Sequence, residues 1–274
     1  TAISAAYMNI PLAHIQGGEV TGSIDEKVRH SITKLADYHF VASEESRKRV
    51  IKLGEEPEFV FNTGCPSIDL AAQALKEPEM NFNPYTKYGA VGAKPDLQNG
   101  YIIVLQHPVT TEYAQSRAHV EETLDAVKDL SIPVLWFWPN VDAGSDGTSS
   151  GIRTFREWYS PQHMHFFKNM DGLDFLKLLI NSKGIVGNSS VAIRECAFLG
   201  IPAVNIGSRQ NRRERGENVV DVGYSGKEIK KAIERCLSNG KCRPSNIYGT
   251  GDAGEKIAQL LSEISLRYHK TITF

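Results

Sequence analysis

The residues between positions 14 and 30 concentrate side chains that can transfer protons or hold charge. Two imidazoles, several carboxylates and a guanidinium surround the glycine pair Gly17-Gly18. The apolar run at 10–15 predicts a buried strand, the glycine pair ends it, and the carboxylate-led stretch from Asp25 predicts a helix start. In open α/β sheets, ligands bind at the carboxyl ends of the strands. The segment is therefore predicted to form the wall of an acid/base site.

Helical spacing sharpens this prediction. Asp25 and Arg29 are i,i+4 neighbours, as are Glu26 and His30, so two acid and cation pairs would lie on adjacent faces of one turn. We expect one of these faces to meet substrate. The alternative is a solvated helix with two ordinary ion pairs, each worth about 0.2 to 0.5 kcal/mol.

A second polar cluster, Gly187-Asn188-Ser189-Ser190, lies between a predicted strand at 184–186 and a predicted helix at 191–199. Helix-start amides and two hydroxyls would face one point, which is a suitable anion site. Glu195 could accept both hydroxyls of a ribose. The cluster has neither a P-loop lysine nor the GxGxxG spacing, which favours a sugar nucleotide over phosphoryl transfer. The alternative is plain helix capping.

Other polar residues end neighbouring strands of the same predicted sheet. His107 and Asn140 follow two of these strands, and Arg209 follows the strand at 203–206, where it could oppose a phosphate. Arg212, Arg213 and Arg215 continue the same loop. For these three arginines a solvated charged loop is as good an interpretation as an anion site.

The alternation of strands and helices predicts an α/β protein with two Rossmann-like lobes and a cleft between them. A segment rich in Pro, Gly, Asn and Lys at 76–100 marks the boundary. We expect a first domain at 1–80, a second at 96–251, and a C-terminal helix at 252–268 that packs back on the first. The chain opens on what resembles the end of a helix, so the N-terminal lobe is expected to be incomplete here.

Composition excludes several functional classes. Among 274 residues, 31 are Lys or Arg and 32 are Asp or Glu, so the net charge of -1 recruits neither nucleic acid nor an anionic membrane. No apolar run approaches the roughly 20 residues that span a bilayer. The four cysteines lack CxxC or Cys/His ligand spacing, which argues against structural zinc and a disulfide scaffold. Reduced thiols fit a cytoplasmic protein.

With these residues in view, the chain resembles the hydrolysing UDP-N-acetylglucosamine 2-epimerases. The similarity is to the sialic-acid branch in particular, which includes the epimerase half of the bifunctional epimerase/kinase. Many blocks carry it in one order: HIQGGE at 14–19, RHSITKLA at 29–36, GCPS at 64–67, LQHPVTT at 105–111, PNVDAGS at 139–145, GNSS at 187–190, RE at 194–195, GSRQ at 207–210, GEN at 216–218 and IYG at 247–249.

The resemblance implies a glycosyltransferase-B type of fold in which the C-terminal lobe grips UDP. The implied UDP contacts are His107, Asn140, the backbone near Met170, Ser189, Ser190, Glu195 and Arg209. The implied catalytic residues are Gln16, Asp25, Arg29 and His107, with His107 as an acid or as electrostatic support. Family chemistry is anti elimination of UDP to 2-acetamidoglucal, followed by water addition with inversion at C2. The resemblance implies no metal, no other cofactor, a homodimer or tetramer, and a place in sialic or related nonulosonic acid synthesis.

One departure from the family pattern concerns Gln16, where the family usually has Glu, because an amide cannot act as a carboxylate base. A natural variant, an engineered change and a purely hydrogen-bonding role all remain open. If the remaining part of the first lobe is truly absent from the protein, we expect the chain alone to be inactive.

Three other functions compete with this interpretation. The same chemistry could act on UDP-2,4-diacetamido-2,4,6-trideoxyglucose. The chain could also be a glycosyltransferase of the same fold, or a non-catalytic module that binds nucleotide sugars.

Overall fold

A computed structural model describes residues 1–22 and 24–273 of the chain. It divides the chain into two compact units, Thr1–Gln73 with Asn246–Phe274, and Ala74–Ser245. Residues 74–95, part of which the sequence analysis assigned to the first domain, belong to the second unit. The reason is local packing, since the Tyr85 ring lies 4.7 Å from the ring of His165 and the Tyr101 hydroxyl lies 3.8 Å from the sulfur of Met80.

The first unit is built on a parallel three-stranded sheet in the order β1-β2-β3. Its strands are β1 (Ala13–Ile15), β2 (Tyr38–Val41) and β3 (Val60–Asn62). Its helices are α1 (Ala2–Tyr7), α2 (Asp25–Leu35), α3 (Glu44–Lys52) and α11 (Ala253–Glu263), while α4 (Pro66–Lys76) leads out of the unit. All four residues of β2 are buried, so this central strand carries the core, and His14 on β1 lies opposite His39 on β2.

The second unit contains a seven-stranded sheet in the order β10-β9-β8-β5-β6-β7-β4. Its strands are β4 (Val91–Gly92), β5 (Ile102–Leu105), β6 (Val134–Phe137), β7 (Met164–Phe167), β8 (Gly184–Gly187), β9 (Ala203–Ile206) and β10 (Val219–Val222). Its helices are α5 (Pro84–Tyr88), α6 (Ser116–Val127), α7 (Ser145–Tyr159), α8 (Gly172–Ile180), α9 (Glu195–Leu199) and α10 (Gly226–Asn239). Only β4 pairs in the antiparallel sense.

Strand order in the second unit is that of a doubly wound sheet. From β5 the chain adds β6 and β7 on one side and then crosses back to add β8, β9 and β10 on the other. The order in which strands are added to the sheet therefore reverses between β5 and β8. In such sheets, the crevice outside the strand ends at this switch point is the usual ligand site. The residues that follow β5 and β8 are therefore the first to consider for function.

Several elements differ from the sequence-based expectation. Strand β1, predicted to be buried, is exposed or half-buried, and α5 and β4 lie in the segment 76–100, where no element was predicted. Strand β10 was not predicted, because Val219–Val222 is short and only partly buried at the sheet edge. The predicted helix at 191–199 is a 3₁₀ turn at Ser190–Ala192 followed by the short α9. The last helix ends at Glu263 and not at 268. Beyond it the chain is held by other contacts, since Tyr38 donates from its hydroxyl to the carbonyl of Ser265 at 2.8 Å.

No helix of the described residues is long and apolar enough to cross a membrane. Cys65, Cys196, Cys236 and Cys242 are free thiols.

A buried carboxylate joins the C-terminal segment to the rest of the first unit. Glu55, whose side chain is fully buried, lies 2.6 Å from the ammonium groups of both Lys34 and Lys270 and 3.0 Å from His39 Nε2. Lys270 also donates to the carbonyls of Thr33, Lys34 and Ala36 at 3.1, 3.0 and 2.6 Å. A cation thus satisfies the carbonyls at the C-terminal end of α2, where the helix dipole favours positive charge.

These contacts predict an acid-sensitive first unit. Burial alone would raise the pKa of Glu55, but hydrogen bonds from His39, Lys270 and Lys34 lower it from 4.5 to about 2. A depressed carboxylate pKa contributes stability above the unfolded pKa that is lost as the pH falls towards the folded one. We expect Glu55→Gln to destabilise the unit by about 3 to 5 kcal/mol, because it leaves buried charge unpaired.

Hydrogen exchange of the β2 amides at pH 7 and pH 3 measures this effect. The wild type should lose part of its protection in acid, and the variant should start lower and lose less. Glu45→Gln is the matched control, because the Glu45 ion pair with Lys48 is half exposed. Equal protection of the wild type and Glu55→Gln at both pH values would contradict the prediction.

Candidate functional site

At the switch point of the second unit, one side chain links the ends of β5 and β8. Asn188, which follows β8, accepts a hydrogen bond at Oδ1 from the backbone N–H of His107 at 2.7 Å. Its Nδ2 donates to the carbonyl of His107 at 2.8 Å. The amide therefore holds the residue that follows β5 from both sides of its peptide. Asn188 is 1% exposed, so both bonds are shielded from water and costly to lose.

The imidazole of His107 is held in one tautomer. The backbone N–H of Asn140, beyond the end of β6, donates to His107 Nδ1 at 3.2 Å. A ring nitrogen that accepts a hydrogen bond carries no proton, so neutral His107 bears its proton on Nε2. Burial and the charge of Arg209 lower the pKa of His107 to about 4. At neutral pH the ring is an uncharged hydrogen-bond donor and not an imidazolium acid.

Arg209 places positive charge beside this histidine. Its Nη1 donates to the carbonyl of Asn188 at 3.3 Å, and Nη2 lies 3.8 Å from a carboxylate oxygen of Asp142. Asp142 also accepts from the Asn140 side chain at 3.0 Å. Asn140, Asn188 and Arg209, which follow β6, β8 and β9, thus meet His107 at one edge of the sheet.

The two serines after Asn188 make internal contacts. The Ser189 hydroxyl accepts from the backbone N–H of Val191 at 3.4 Å, so Ser189 caps the 3₁₀ turn, and Arg194 Nη2 donates to the Ser190 hydroxyl at 3.0 Å. The structure therefore contains the capping interaction that was the alternative to an anion site. It does not occupy every acceptor of the hydroxyl, since oxygen has two lone pairs.

Glu195 is the unusual carboxylate of this region. It is 6% exposed, and its Oε2 has no hydrogen-bond partner within the described residues, although Arg194 Nε lies 3.7 Å away. A buried carboxylate oxygen without a hydrogen bond is energetically unfavourable unless a ligand supplies the donor. Ribose hydroxyls are donors of the required kind.

The remaining predicted residues of this unit have different surroundings. Met170 follows β7 and is 9% exposed, so its side chain is part of the core. Arg213 is buried and donates to Gln210 Oε1 at 3.0 Å, and Arg215 Nη2 donates to the carbonyl of Gln210 at 2.7 Å. The solvated-loop alternative is therefore wrong for Arg213, whereas Arg212 is exposed.

In the first unit, Gln16 follows β1 with φ 64°, in the left-handed region. Its backbone N–H donates to the carbonyl of Phe40 at 2.8 Å, and its side-chain Nε2 lies 2.7 Å from Cys65 Sγ. The Ser67 hydroxyl contacts the same sulfur at 3.0 Å. The Gln16 amide is thus oriented by a buried thiol, and as an amide it cannot take up a proton at neutral pH.

The glycines beside Gln16 bring this turn close to α3. Gly18 has φ 75°, and a Cβ added there would lie 2.3 Å from the carbonyl oxygen of Ser46. Only glycine fits such a close approach at a left-handed backbone position. The turn therefore lies directly against α3, which explains the glycine pair in the sequence.

Helix α2 carries the two predicted residues that follow this turn. Asp25 is exposed in its first turn, and Arg29 is half-buried and donates to the carbonyl of Glu19 at 3.2 Å. One turn later, the Thr33 hydroxyl donates to the Arg29 carbonyl at 3.0 Å and lies 3.2 Å from His14 Nδ1. Because a hydroxyl has one hydrogen, His14 Nδ1 is the donor to Thr33. The second predicted pair is present, with His30 Nε2 3.5 Å from Glu26.

Sequence reasoning overlooked two roles that the structure makes plain. Asn188 was quoted only as part of an anion motif, although a buried amide after a fully apolar strand signals a structural hydrogen bond. Cys65 was considered for metal or disulfide chemistry and as part of the GCPS block, but not as a partner of Gln16. No group of three or more His, Cys, Asp or Glu that could hold a metal ion occurs in the described ranges 1–22 and 24–273.

Known proteins resemble this chain along almost its entire length. The family model described as UDP-N-acetylglucosamine 2-epimerase matches residues 1–262. A UDP-N,N'-diacetylbacillosamine 2-epimerase (hydrolyzing) of Legionella pneumophila is 35% identical over 97% of the chain and 68% of that protein. A UDP-N-acetylglucosamine 2-epimerase of Neisseria meningitidis is 30% identical over 92% of the chain. The chain spans 64% of the length of that second relative.

Solved structures share the fold. A Methanocaldococcus jannaschii UDP-GlcNAc 2-epimerase in complex with UDP-GlcNAc and UDP superposes with a TM-score of 0.78 at 21% identity, covering 96% of this chain and 72% of that one. A Neisseria meningitidis enzyme bound to UDP-GlcNAc gives 0.75 at 20% identity, with the same coverage of both chains. This likeness confirms the predicted α/β class with Rossmann-like lobes of the glycosyltransferase-B type.

The Asn188 clamp yields a direct prediction. Asn188→Ala leaves the N–H and carbonyl of His107 without partners, at a cost of about 1 to 3 kcal/mol for each buried group. We expect the free energy of unfolding of the second unit, followed by tryptophan fluorescence in urea, to fall by that order. Asn211→Ala is the control, because Asn211 is exposed on the nearby loop. A fall no larger than that of the control would contradict the clamp.

Proposed function

The chain belongs to the UDP-N-acetylglucosamine 2-epimerase family, and from this premise we propose that it acts as a hydrolysing 2-epimerase. The proposed reaction converts UDP-N-acetylglucosamine and water to N-acetylmannosamine and UDP, for sialic or related nonulosonic acid synthesis. The observation that carries the proposal is the meeting of His107, Asn140, Asn188 and Arg209 at the switch point of the second unit. Such an edge suits a nucleotide diphosphate.

We assign UDP to the second unit. The Arg209 guanidinium and the Nε2–H of neutral His107 supply a cation and a donor for the diphosphate, and Ser189 and Ser190 add hydroxyl contacts. The buried Glu195 Oε2, which has no hydrogen-bond partner among the described residues, accepts from the ribose hydroxyls. Asn140 and the backbone at Met170 complete the contacts that family membership suggests.

The chemistry removes a proton from C2 of the sugar while the bond from C1 to the diphosphate oxygen breaks. The electron pair of the C2–H bond forms the C1–C2 double bond of 2-acetamidoglucal, and UDP leaves with the C1–O pair. Water then adds its hydroxyl at C1 and a proton at C2 on the opposite face, which gives the inverted product. The elimination requires a positioned base and stabilisation of the leaving anion, and the addition of water requires a proton donor at C2.

We assign the base to Asp25 and its electrostatic partner to Arg29. Gln16 is excluded as a base, and the contact of its Nε2 with Cys65 supports a role in holding the acetamido group by hydrogen bonding. His107 supports the departing diphosphate as a neutral donor, since its pKa of about 4 leaves it unprotonated at neutral pH.

A second candidate substrate is UDP-2,4-diacetamido-2,4,6-trideoxyglucose. The Legionella relative named for diacetylbacillosamine is 35% identical over 97% of the chain, against 30% over 92% for the Neisseria relative named for N-acetylglucosamine. The two sugars differ at C4 and C6, away from the reacting carbons, so the same residues could serve either one.

Turnover of both substrates in D₂O, followed by NMR, tests the proposal. We expect UDP release together with a sugar inverted at C2 that carries solvent deuterium there. The ratio of kcat/KM for the two sugars identifies the substrate. Transfer of the sugar without deuterium at C2 would indicate a glycosyltransferase instead. Tight UDP binding without turnover, persisting in Gln16→Glu, would indicate a non-catalytic binding module.

Asp25→Asn tests the assigned base. We expect kcat to fall by about 10²- to 10⁴-fold, the usual contribution of a general base, while the Kd for UDP stays within a factor of two or so because UDP is assigned to the other unit. Steady-state kinetics and calorimetry measure the two quantities. Glu44→Gln is the control, since Glu44 also lies in the first turn of a helix of this unit and is exposed. Unchanged kcat in Asp25→Asn would remove Asp25 from the mechanism.

A further inference from the structure

A second carboxylate, Glu112, connects loops at the same edge of the second unit. It lies in the 3₁₀ turn Thr110–Gln115 between β5 and α6. Its Oε2 accepts from the Tyr224 hydroxyl at 2.7 Å, and its Oε1 accepts from the Ser208 hydroxyl. One carboxylate therefore holds Ser208, the residue before Arg209, and Tyr224 in the loop between β10 and α10.

The partner Tyr224 is itself held rigidly. Its ring stacks on the His119 ring with centroids 3.5 Å apart and an interplanar angle of 4°. Burial and the hydrogen bond to Glu112 raise the pKa of Tyr224 to about 12. The phenol thus remains a donor to Glu112 across the whole physiological range.

The backbone before Ser208 lies directly against this ring. Gly207 has φ 71°, and a Cβ added there would lie 2.2 Å from the Tyr224 hydroxyl oxygen. No other residue type fits without moving the ring or the loop. Glycine, tyrosine and glutamate together leave the β9 loop little freedom next to the loop that carries His107.

We propose that Glu112 is a positioning residue that acts through Arg209. By binding Ser208 and Tyr224 it sets the loop after β9 relative to the loop after β5, and so places the Arg209 guanidinium beside His107. The inference rests on the proposed function in one respect, that the ligand which senses this placement is the diphosphate of a UDP-sugar. Asn188 and Glu112 contact this region through different partners, Asn188 through the main chain of His107 and Glu112 through Ser208 and Tyr224.

A double-mutant cycle separates positioning from a general structural role. We expect Glu112→Ala to weaken UDP binding about 10-fold, equivalent to about 1.4 kcal/mol, and to raise KM with kcat nearly unchanged, the signature of lost uniform binding. In an Arg209→Ala background the same change should have little further effect, because its intermediary is gone. Calorimetry with UDP and steady-state kinetics give these values.

Two further variants keep the test informative. Tyr224→Phe removes one donor and preserves the ring stack, so it should weaken UDP binding less than Glu112→Ala does. Glu121→Gln is the matched control on α6, because Glu121 pairs only with the half-exposed Arg117 at 2.7 Å in the described structure. UDP affinity of this variant should equal that of the wild type.

The outcomes distinguish the inference from the proposed function. Equal losses of UDP affinity in the wild-type and Arg209→Ala backgrounds, or no loss in Glu112→Ala, would overturn the positioning role. If the wild type binds no UDP, the proposed function fails. Hydrogen exchange at 107–110 and 207–210 then tests by itself whether Glu112 holds these two loops. Faster exchange in both loops of Glu112→Ala supports the positioning role of Glu112, and unchanged exchange in either loop overturns it.

Discussion

The hydrogen bonds between the Asn188 side chain and the main chain of His107 join the ends of β8 and β5. Between these two strands the order in which the chain adds strands to the large sheet reverses. Gly187 makes this junction possible, because its φ of 135° turns the chain where a Cβ would lie 2.1 Å from the Leu105 carbonyl oxygen. The carbonyl of Asn188 then accepts from both Arg209 and Gln210. Placement of the residues after β5, β8 and β9 thus depends on one buried amide.

In the first unit, a charged side chain satisfies buried polar groups. The carbonyls at the end of α2 and the buried Glu55 are satisfied together by Lys270, which comes from the far end of the chain. Arginine 209 performs the corresponding task in the second unit at the Asn188 carbonyl. In each unit, a cation from another segment of the chain therefore compensates backbone carbonyls.

The amide of Gln16 limits the chemistry that this position can perform. Gln16 lies in the left-handed region with its amide directed at a buried thiol, and an amide cannot take up a proton at neutral pH. In the proposed mechanism, proton transfer at C2 therefore requires another group, and Asp25, which is exposed in the first turn of α2, is the carboxylate proposed for it. The neutral state of His107 similarly restricts that residue to donating a hydrogen bond.

Local patterns in the sequence were enough for the α/β class, for most strands and for the family. Apolar runs broken by glycine and polar residues identify strand ends, and parallel strands bring their carboxyl ends to one edge whatever their order. Residues such as His107, Asn140 and Arg209 were found in this way. Short or weakly buried elements were missed, as Val219–Val222 at the sheet edge shows.

Tertiary structure alone decided which of these residues touch. Asn188 lies 81 positions from His107 and Glu112 lies 112 positions from Tyr224, and no periodicity links such distances. The tautomer of His107, the pairing of Gln16 with Cys65 and the ion cluster around Glu55 have the same origin. Sequence determined which side chains reach the sheet edge, because that depends on local alternation, whereas their hydrogen-bond partners depend on strand order, which only the folded chain defines.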